Sequence, residues 1–166
     1  MHLFFTHGTM KFRFLLLLLL LSLHSLAAEI AGKVVGVTDG DTITVLDTTN
    51  TQYRIRLDRI DAPERRQAFG AKSKQFLSSL IFEKNVRIIY EKKDRYGRIL
   101  GIVFLGENEI NLTMIQHGMA WHYSHYDNTE RYAAAEREAR QKKIGLWIDP
   151  NPISPYIFRQ GQKKHK

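Results

Sequence analysis

The sequence predicts an α+β fold, a five-stranded OB-type β-barrel with α-helices appended after it. Three observations carry that expectation: three strand-like runs follow one another through short turns, a stretch of helical period comes next, and two more strand-like runs follow it. The first run is Ala31 to Val37, the second Thr42 to Leu46, and the third Gln52 to Ile60, where Tyr53, Ile55 and Leu57 alternate with Arg54, Arg56 and Asp58. Asp39-Gly40 separates the first two and Asp47-Thr48-Thr49-Asn50 the second and third. Both are good turn chemistry, so the runs predict an antiparallel meander. Pro63 lacks a backbone donor and biases Ala62 towards extended geometry, which ends the third run.

Between Ala71 and Phe82 the period changes. Phe76, Leu77, Leu80 and Ile81 form one stripe, with Lys72, Lys74 and Ser78 elsewhere, as in an amphipathic helix. Val86 to Tyr90 and Ile99 to Leu105 read as two further strands around a turn at Asp94-Arg95-Tyr96-Gly97. Asn111 to His117 reads as a short helix ended by Gly118. Asn128 is the expected N-cap of a helix that runs through Tyr132, Ala135 and Ala139 to Lys143, with Gly145 as its stop. The basic, polar stretch from Gln160 to Lys166 is expected to fray.

A chain of 166 residues supports one domain with a proper core. Having no cysteine, it excludes a disulfide-stapled mini-protein, thiolate chemistry and a Cys-ligated zinc site. A hydrophobic content of 43% with 25% charged residues excludes a wholly disordered or collagen-like chain. Lys11 and Arg13, the apolar run from Phe14 to Leu21 and the small pair Ala27-Ala28 follow the order of a secretory signal peptide, and the run is shorter than a bilayer span. The expected organisation is therefore a signal peptide over 1–28, one domain over 29–150 and a tail over 151–166. Export to the periplasm or the medium, with no stable membrane association after cleavage, is expected. Without Lys11 and Arg13, the 25 basic residues become 23 against 17 acidic ones, so the basic excess belongs to the folded domain. Such an excess favours a polyanion such as nucleic acid or an anionic membrane surface, and charge alone chooses neither.

Charge concentrates where the pattern predicts turns and strand ends. Asp39-Gly40-Asp41-Thr42 sits at the first turn, Arg56 to Glu64 closes the third run, and Asp94-Arg95-Tyr96-Gly97-Arg98 joins the last two strands. A hard divalent cation takes several oxygen ligands, and Asp41 and Asp61, each at a strand terminus, are the candidates to supply them. The planar fork of arginine binds phosphate bidentately, so Arg56 and Arg98 could grip a phosphodiester from two sides. Glu64 would then orient or deprotonate a water. Taken singly, the turns are common sequences and Arg56 is a solvated strand position; the ordered set is what points to phosphoryl chemistry.

These segments resemble the three motifs of the staphylococcal-nuclease-like (thermonuclease) family. The similarity continues through Asn111-Leu112, Gly118-Met119-Ala120, the helix around Ala133 to Ala139, and Gly145-Leu146-Trp147. The resemblance implies a calcium-dependent, sugar-nonspecific endonuclease that cuts DNA and RNA to leave 3′-phosphate ends, and a monomer is expected. It implies Asp41, Asp61 and the carbonyl of Ala62 as ligands of Ca2+, Glu64 as the water-activating acid, and Arg56 and Arg98 as the phosphate-holding arginines. Tyr96, Tyr123 and Tyr126 match aromatic residues around the nucleotide. Two departures stand out: the segment Arg65 to Gly70 is short, and Trp121 to Tyr126 sets its aromatics among different neighbours.

The nearest alternative is the same barrel used as a nucleic-acid-binding module without turnover. The complete set of acids and arginines favours catalysis. A zinc site on His117, His122 and His125 would need an anionic ligand that no helix pattern supplies. Attachment of a basic surface to a membrane would leave the acidic cluster unexplained.

Overall fold

The computed structural model describes residues 28–163. The expected leader lies outside the described residues apart from Ala28, which opens the first strand. The strands are β1 (Ala28–Asp39), β2 (Thr42–Leu46), β3 (Gln52–Leu57), β4 (Ile60–Asp61), β5 (Asn85–Lys93), β6 (Ile99–Leu105), β7 (Asn108–Glu109) and β8 (Trp121–His122). The helices are α1 (Gly70–Ile81), α2 (Ile110–Gln116), α3 (Glu130–Gln141) and α4 (Pro155–Lys163), with a 3-10 turn at Gly145–Ile148.

The larger sheet has the order β3-β2-β1-β5-β6-β7, and a parallel pairing of β3 with β6 at Ile55↔Ile99, Arg56↔Leu100 and Leu57↔Gly101 closes it into a five-strand barrel. Closure is possible because β1 is long enough to serve two neighbours. Ala28 to Lys33 pairs with β5, and Lys33 to Asp39 pairs with β2 through two register shifts that bend the strand. The alternation seen in the sequence points inward: Ile43, Val45, Ile55, Leu57, Ile88 and Val103 are fully buried. Helix α1 packs on β1 through the expected stripe, with Leu77 and Ile81 buried and Phe76 and Leu80 at its edge. The barrel with its four helices is the α+β architecture the sequence predicts.

The third run does not continue to Ile60 as expected. Strand β3 stops at Leu57, Arg59 turns left-handed (φ 65°), and Ile60–Asp61 resumes as β4, paired with β8 at Ile60↔His122 and Asp61↔Trp121. The backbone N–H of Leu57 donates to the Asp41 carbonyl (2.8 Å) and that of Asp58 to the Gly101 carbonyl (2.9 Å), so the strand is captured at its end and the chain turns away. Asn111, fully buried, secures this corner: its amide donates to the carbonyls of Asp58 (2.9 Å) and Gly101 (3.0 Å) and accepts from the Val103 N–H (2.9 Å).

Two helix boundaries also differ. Asn128 does not cap α3; Thr129 precedes the helix without a side-chain cap, and the Asp127 carboxylate organises the approach by accepting from the Thr129 N–H (3.2 Å) and hydroxyl (2.7 Å). The helix ends at Gln141 rather than Lys143, whose left-handed φ of 52° cannot continue it. The largest correction is at the C-terminus, where α4 is helical through Gln160 to Lys163 instead of fraying. Its start is local: Pro155 suits a first helical position, and the Ser154 hydroxyl accepts from the Ile157 N–H (3.3 Å).

Candidate active site

Three chain segments bring their charges to one end of the barrel. In the β1–β2 turn, Gly40 lies so close to the Ser73 and Ala62 side chains that a Cβ would overlap them, so only glycine lets the turn press against α1. This seats Asp41, which is almost fully buried. Its backbone N–H donates to Asp39 Oδ1 (3.2 Å), its Oδ1 accepts from the Thr42 hydroxyl (3.1 Å), and its Oδ2 accepts from the Ala62 N–H (2.8 Å). The last bond ties the first motif to the second. Asp61, turned inward by the Arg59 break, is joined to Asp41 by one atom: Arg56 Nη2 lies 3.1 Å from Asp41 Oδ2 and 3.2 Å from Asp61 Oδ1.

The two expected arginines differ in their surroundings. Arg56, with its side chain 11% exposed, also donates through Nη1 to the carbonyls of Leu57 (2.6 Å) and Ile60 (2.8 Å). Arg98 is twice as exposed at 22% and is held from one side, by Asp94 Oδ2 at 2.8 Å from both Nε and Nη2. Asp94 in turn builds the turn itself, accepting from the N–H groups of Tyr96 (2.9 Å) and Arg98 (3.0 Å). Partial burial works against the Asp94 charge, but the hydrogen bonds from Arg98 and these backbone groups outweigh it and hold the carboxyl below its usual range.

Acids crowd this end of the barrel. Burial, followed by the neighbouring Asp41 charge, pushes Asp39 up to about 6. Burial likewise raises Asp61, although hydrogen bonds and charge from Arg159 and the charge of Arg56 pull the other way. Carboxylates crowded in this way attract a cation.

A cleft of about 800 Å3 opens above them, lined by Asp39, Asp41, Arg56, Ala62, Glu64, Tyr96, Arg98, Tyr123 and Tyr126 among others. Asp61 sits just behind it, held by Arg56. The structure thus brings together all the acids and arginines singled out in the sequence. Tyr96 and Tyr126 are exposed on the rim, and Tyr123 packs edge-on against Tyr126 (4.8 Å). The histidines part company: His117 Nδ1 lies 2.9 Å from the Thr113 carbonyl, His122 Nε2 lies 2.8 Å from Asp127, and His125 stacks on Tyr156.

Sequence reasoning missed one side chain that dominates the acidic end. Arg159 on α4 donates through Nη1 to Asp61 Oδ1 (3.0 Å) and Glu64 Oε1 (2.8 Å), and through Nη2 to Asp61 Oδ2 (2.9 Å). Burial works against its charge, but the two carboxylates more than compensate and hold it firmly protonated. The signal for it was the Ser154-Pro155 helix start, followed by Tyr156 and Phe158, before a lone arginine. The short segment after Glu64 helps to seat this helix. Gln67 accepts from the Glu64 N–H (3.1 Å) and donates to the Ile153 carbonyl (2.5 Å), while Gly70 approaches the Glu64 carbonyl too closely for any Cβ.

The donor chemistry is of the kind a hard dication takes: the carboxylates of Asp41 and Asp61 meet at Arg56, and those of Asp61 and Glu64 meet at Arg159. As they stand, no three His, Cys, Asp or Glu side chains among the described residues are close enough to hold a metal ion. The Arg159 guanidinium bridges Asp61 and Glu64 instead.

Residues 54–149 match the model of the staphylococcal nuclease homologue family. The chain belongs to that family. It is 47% identical over 131 residues to an uncharacterized endonuclease of Haemophilus influenzae, covering 79% of this chain and 74% of the relative. It is 43% identical over 145 residues to an uncharacterized endonuclease of Escherichia coli, covering 87% and 94%. Against the micrococcal nuclease of Shigella flexneri the identity is 42% over 148 residues, covering 82% and 84%. The family match spans the second and third motifs of this nuclease homologue, while Asp41 and Arg159 lie to either side of it. The barrel and α4 respectively bring these two outer residues back to the acidic end.

Proposed function

We propose that this protein is a hydrolytic endonuclease acting on nucleic acid, and that the cleft above Asp41, Arg56 and Arg98 is where a phosphodiester is cut. The observation that carries this reading is the meeting of three separate segments at one cleft, with carboxylates and guanidinium groups arranged around a space large enough for a nucleotide. Its membership of a family with relatives named endonuclease and micrococcal nuclease supports the same reading.

The finer reading is a calcium-dependent, sugar-nonspecific enzyme that leaves 3′-phosphate ends. Calcium held by Asp41 and Asp61, with the Ala62 carbonyl, would supply positive charge to the phosphate oxygens. Arg98, anchored by Asp94 on one side, turns its remaining N–H groups to the cleft and bears charge that grows on the phosphate. Arg56 fixes the relative positions of Asp41 and Asp61 and adds its charge from below. Glu64 accepts the proton of a water that attacks phosphorus in line, and the bond to the 5′ oxygen breaks as that oxygen takes a proton from solvent. Tyr96, Tyr123 and Tyr126 offer faces on which bases stack. The leader-like order of residues 11–28 supports export, and the same reading takes the enzyme as a monomer.

Digestion of plasmid DNA and of RNA by the chain from Glu29, with calcium, with magnesium and with excess chelator, tests this reading. Cutting in calcium that stops on chelation, with 3′-phosphate ends, is expected. Cutting unaffected by chelator would overturn the metal role. Salt-sensitive binding without cutting in any metal would leave a binding module instead.

A further inference from the structure

Asp61 is held by two guanidinium groups of unlike character. Arg56 is fixed by two backbone carbonyls and is 11% exposed, so it has nowhere to go. Arg159 lies on the peripheral helix α4, is 35% exposed, and touches the site only through Asp61 and Glu64. Both oxygens of Asp61 accept from Arg159, although the Asp61 side chain itself is 3% exposed. A carboxylate that far from water needs a positive partner at all times.

We propose that Arg159 is a built-in competitor for the dication: its guanidinium occupies the oxygens of Asp61 and Glu64 when no metal is bound, and must withdraw for the metal to be held. This inference rests on the metal part of the proposed function. It follows from the geometry, because Arg159 engages both oxygens of one proposed ligand and one oxygen of the acid beside it. Withdrawal is feasible because the guanidinium already borders the cleft and solvent. Helix α4 keeps other anchors when it happens: Tyr156 stacks on His125 at 4.3 Å, and the Ile153 carbonyl just before the helix accepts from Gln67. Arg159 therefore makes the site self-neutralising, which limits electrostatic repulsion among the acids in the metal-free protein and weakens its hold on the metal by the same contacts.

Calorimetric titration of calcium chloride into the metal-free full chain, without nucleic acid, tests the proposal. Arg159→Ala is expected to bind calcium about tenfold more tightly than the parent chain, the scale of losing a competing charge-assisted hydrogen-bond pair. Arg159→Lys, which keeps the charge but loses the fork and serves if the alanine variant folds poorly, is expected to fall between them. Arg137→Ala, which removes an exposed arginine on α3 paired with Glu130, controls for net charge and is expected to change affinity less than about twofold. Equal or weaker calcium binding by Arg159→Ala overturns the proposal, as does an equal gain in Arg137→Ala. If the parent chain binds calcium and cuts with it while Arg159→Ala binds no better, only this inference fails; if no variant binds calcium, the metal reading fails with it.

Discussion

Arg56 and Arg98 line the same cleft, and the protein treats them differently. Arg56 lies under the floor, joined to two carbonyls and two buried carboxylates, so most of its donors are taken by the fold. Arg98 stands on a turn, clamped along one edge by Asp94, with Nη1 reaching only to the Thr42 hydroxyl at 3.5 Å. Sequence spacing gives both residues the same label. Burial and donor use separate them: one arginine holds the site together, and the other is positioned to hold what enters it.

The sharpest way to break this contrast is to remove each arginine and read stability and turnover separately. Arg56→Ala leaves buried Asp41 without its arginine and Asp61 with Arg159 alone, and a loss of about 3 to 5 kcal/mol in urea unfolding is expected, with activity gone as well. A loss below about 1 kcal/mol would show that Arg56 is not the keystone of the acidic floor. Arg98→Ala, which leaves Asp94 its two backbone N–H donors, is expected to cost at most about 1 kcal/mol in unfolding while lowering kcat on the order of 100-fold to 1,000-fold, with a smaller loss in nucleic-acid binding. Equal losses in kcat/KM and binding would instead make Arg98 a uniform binding contact.

The smallest effect is reserved for the clamp. Asp94→Asn is expected to cost about 1 to 2 kcal/mol at pH 7, since it weakens charge-assisted bonds to Arg98 and the turn. Because the Asp94 carboxyl is held below its ordinary value of 3.8, its contribution is present above that pH and is lost as the pH falls below it. The gap between variant and parent in urea midpoint is therefore expected to close in acid. A gap that widens there would mean the turn is held by something other than the charged clamp.

Much of this molecule can be read locally. The strand Thr42–Leu46 and the strand Ile99–Leu105 match expectation at both ends because alternation and flanking turns specify them without distant help. The α1 stripe is legible for the same reason. The third run reads through to Ile60 because that residue is apolar and β-branched, yet Arg59 falls where the alternation calls for an apolar side chain, and capture of Leu57 by the Asp41 carbonyl marks the end of the strand. Asn128 suits a cap by residue type, whereas Asp127 does the ordering through its contacts with Thr129 and His122. Arg159 lay beyond the motifs, on a stretch whose charge and polarity suggest solvent.

What the chain's own order of residues determined is the set of elements and the chemical types gathered at their ends, because period, turn chemistry and charge act over a few positions. Closure of the barrel through β3 and β6, the break that turns Asp61 towards Asp41, and the return of α4 to place Arg159 on those acids were decided only by tertiary structure. Those contacts join residues up to 98 positions apart. At that separation no local preference acts, and only burial of the shared core and neutralisation of the acids select the partner.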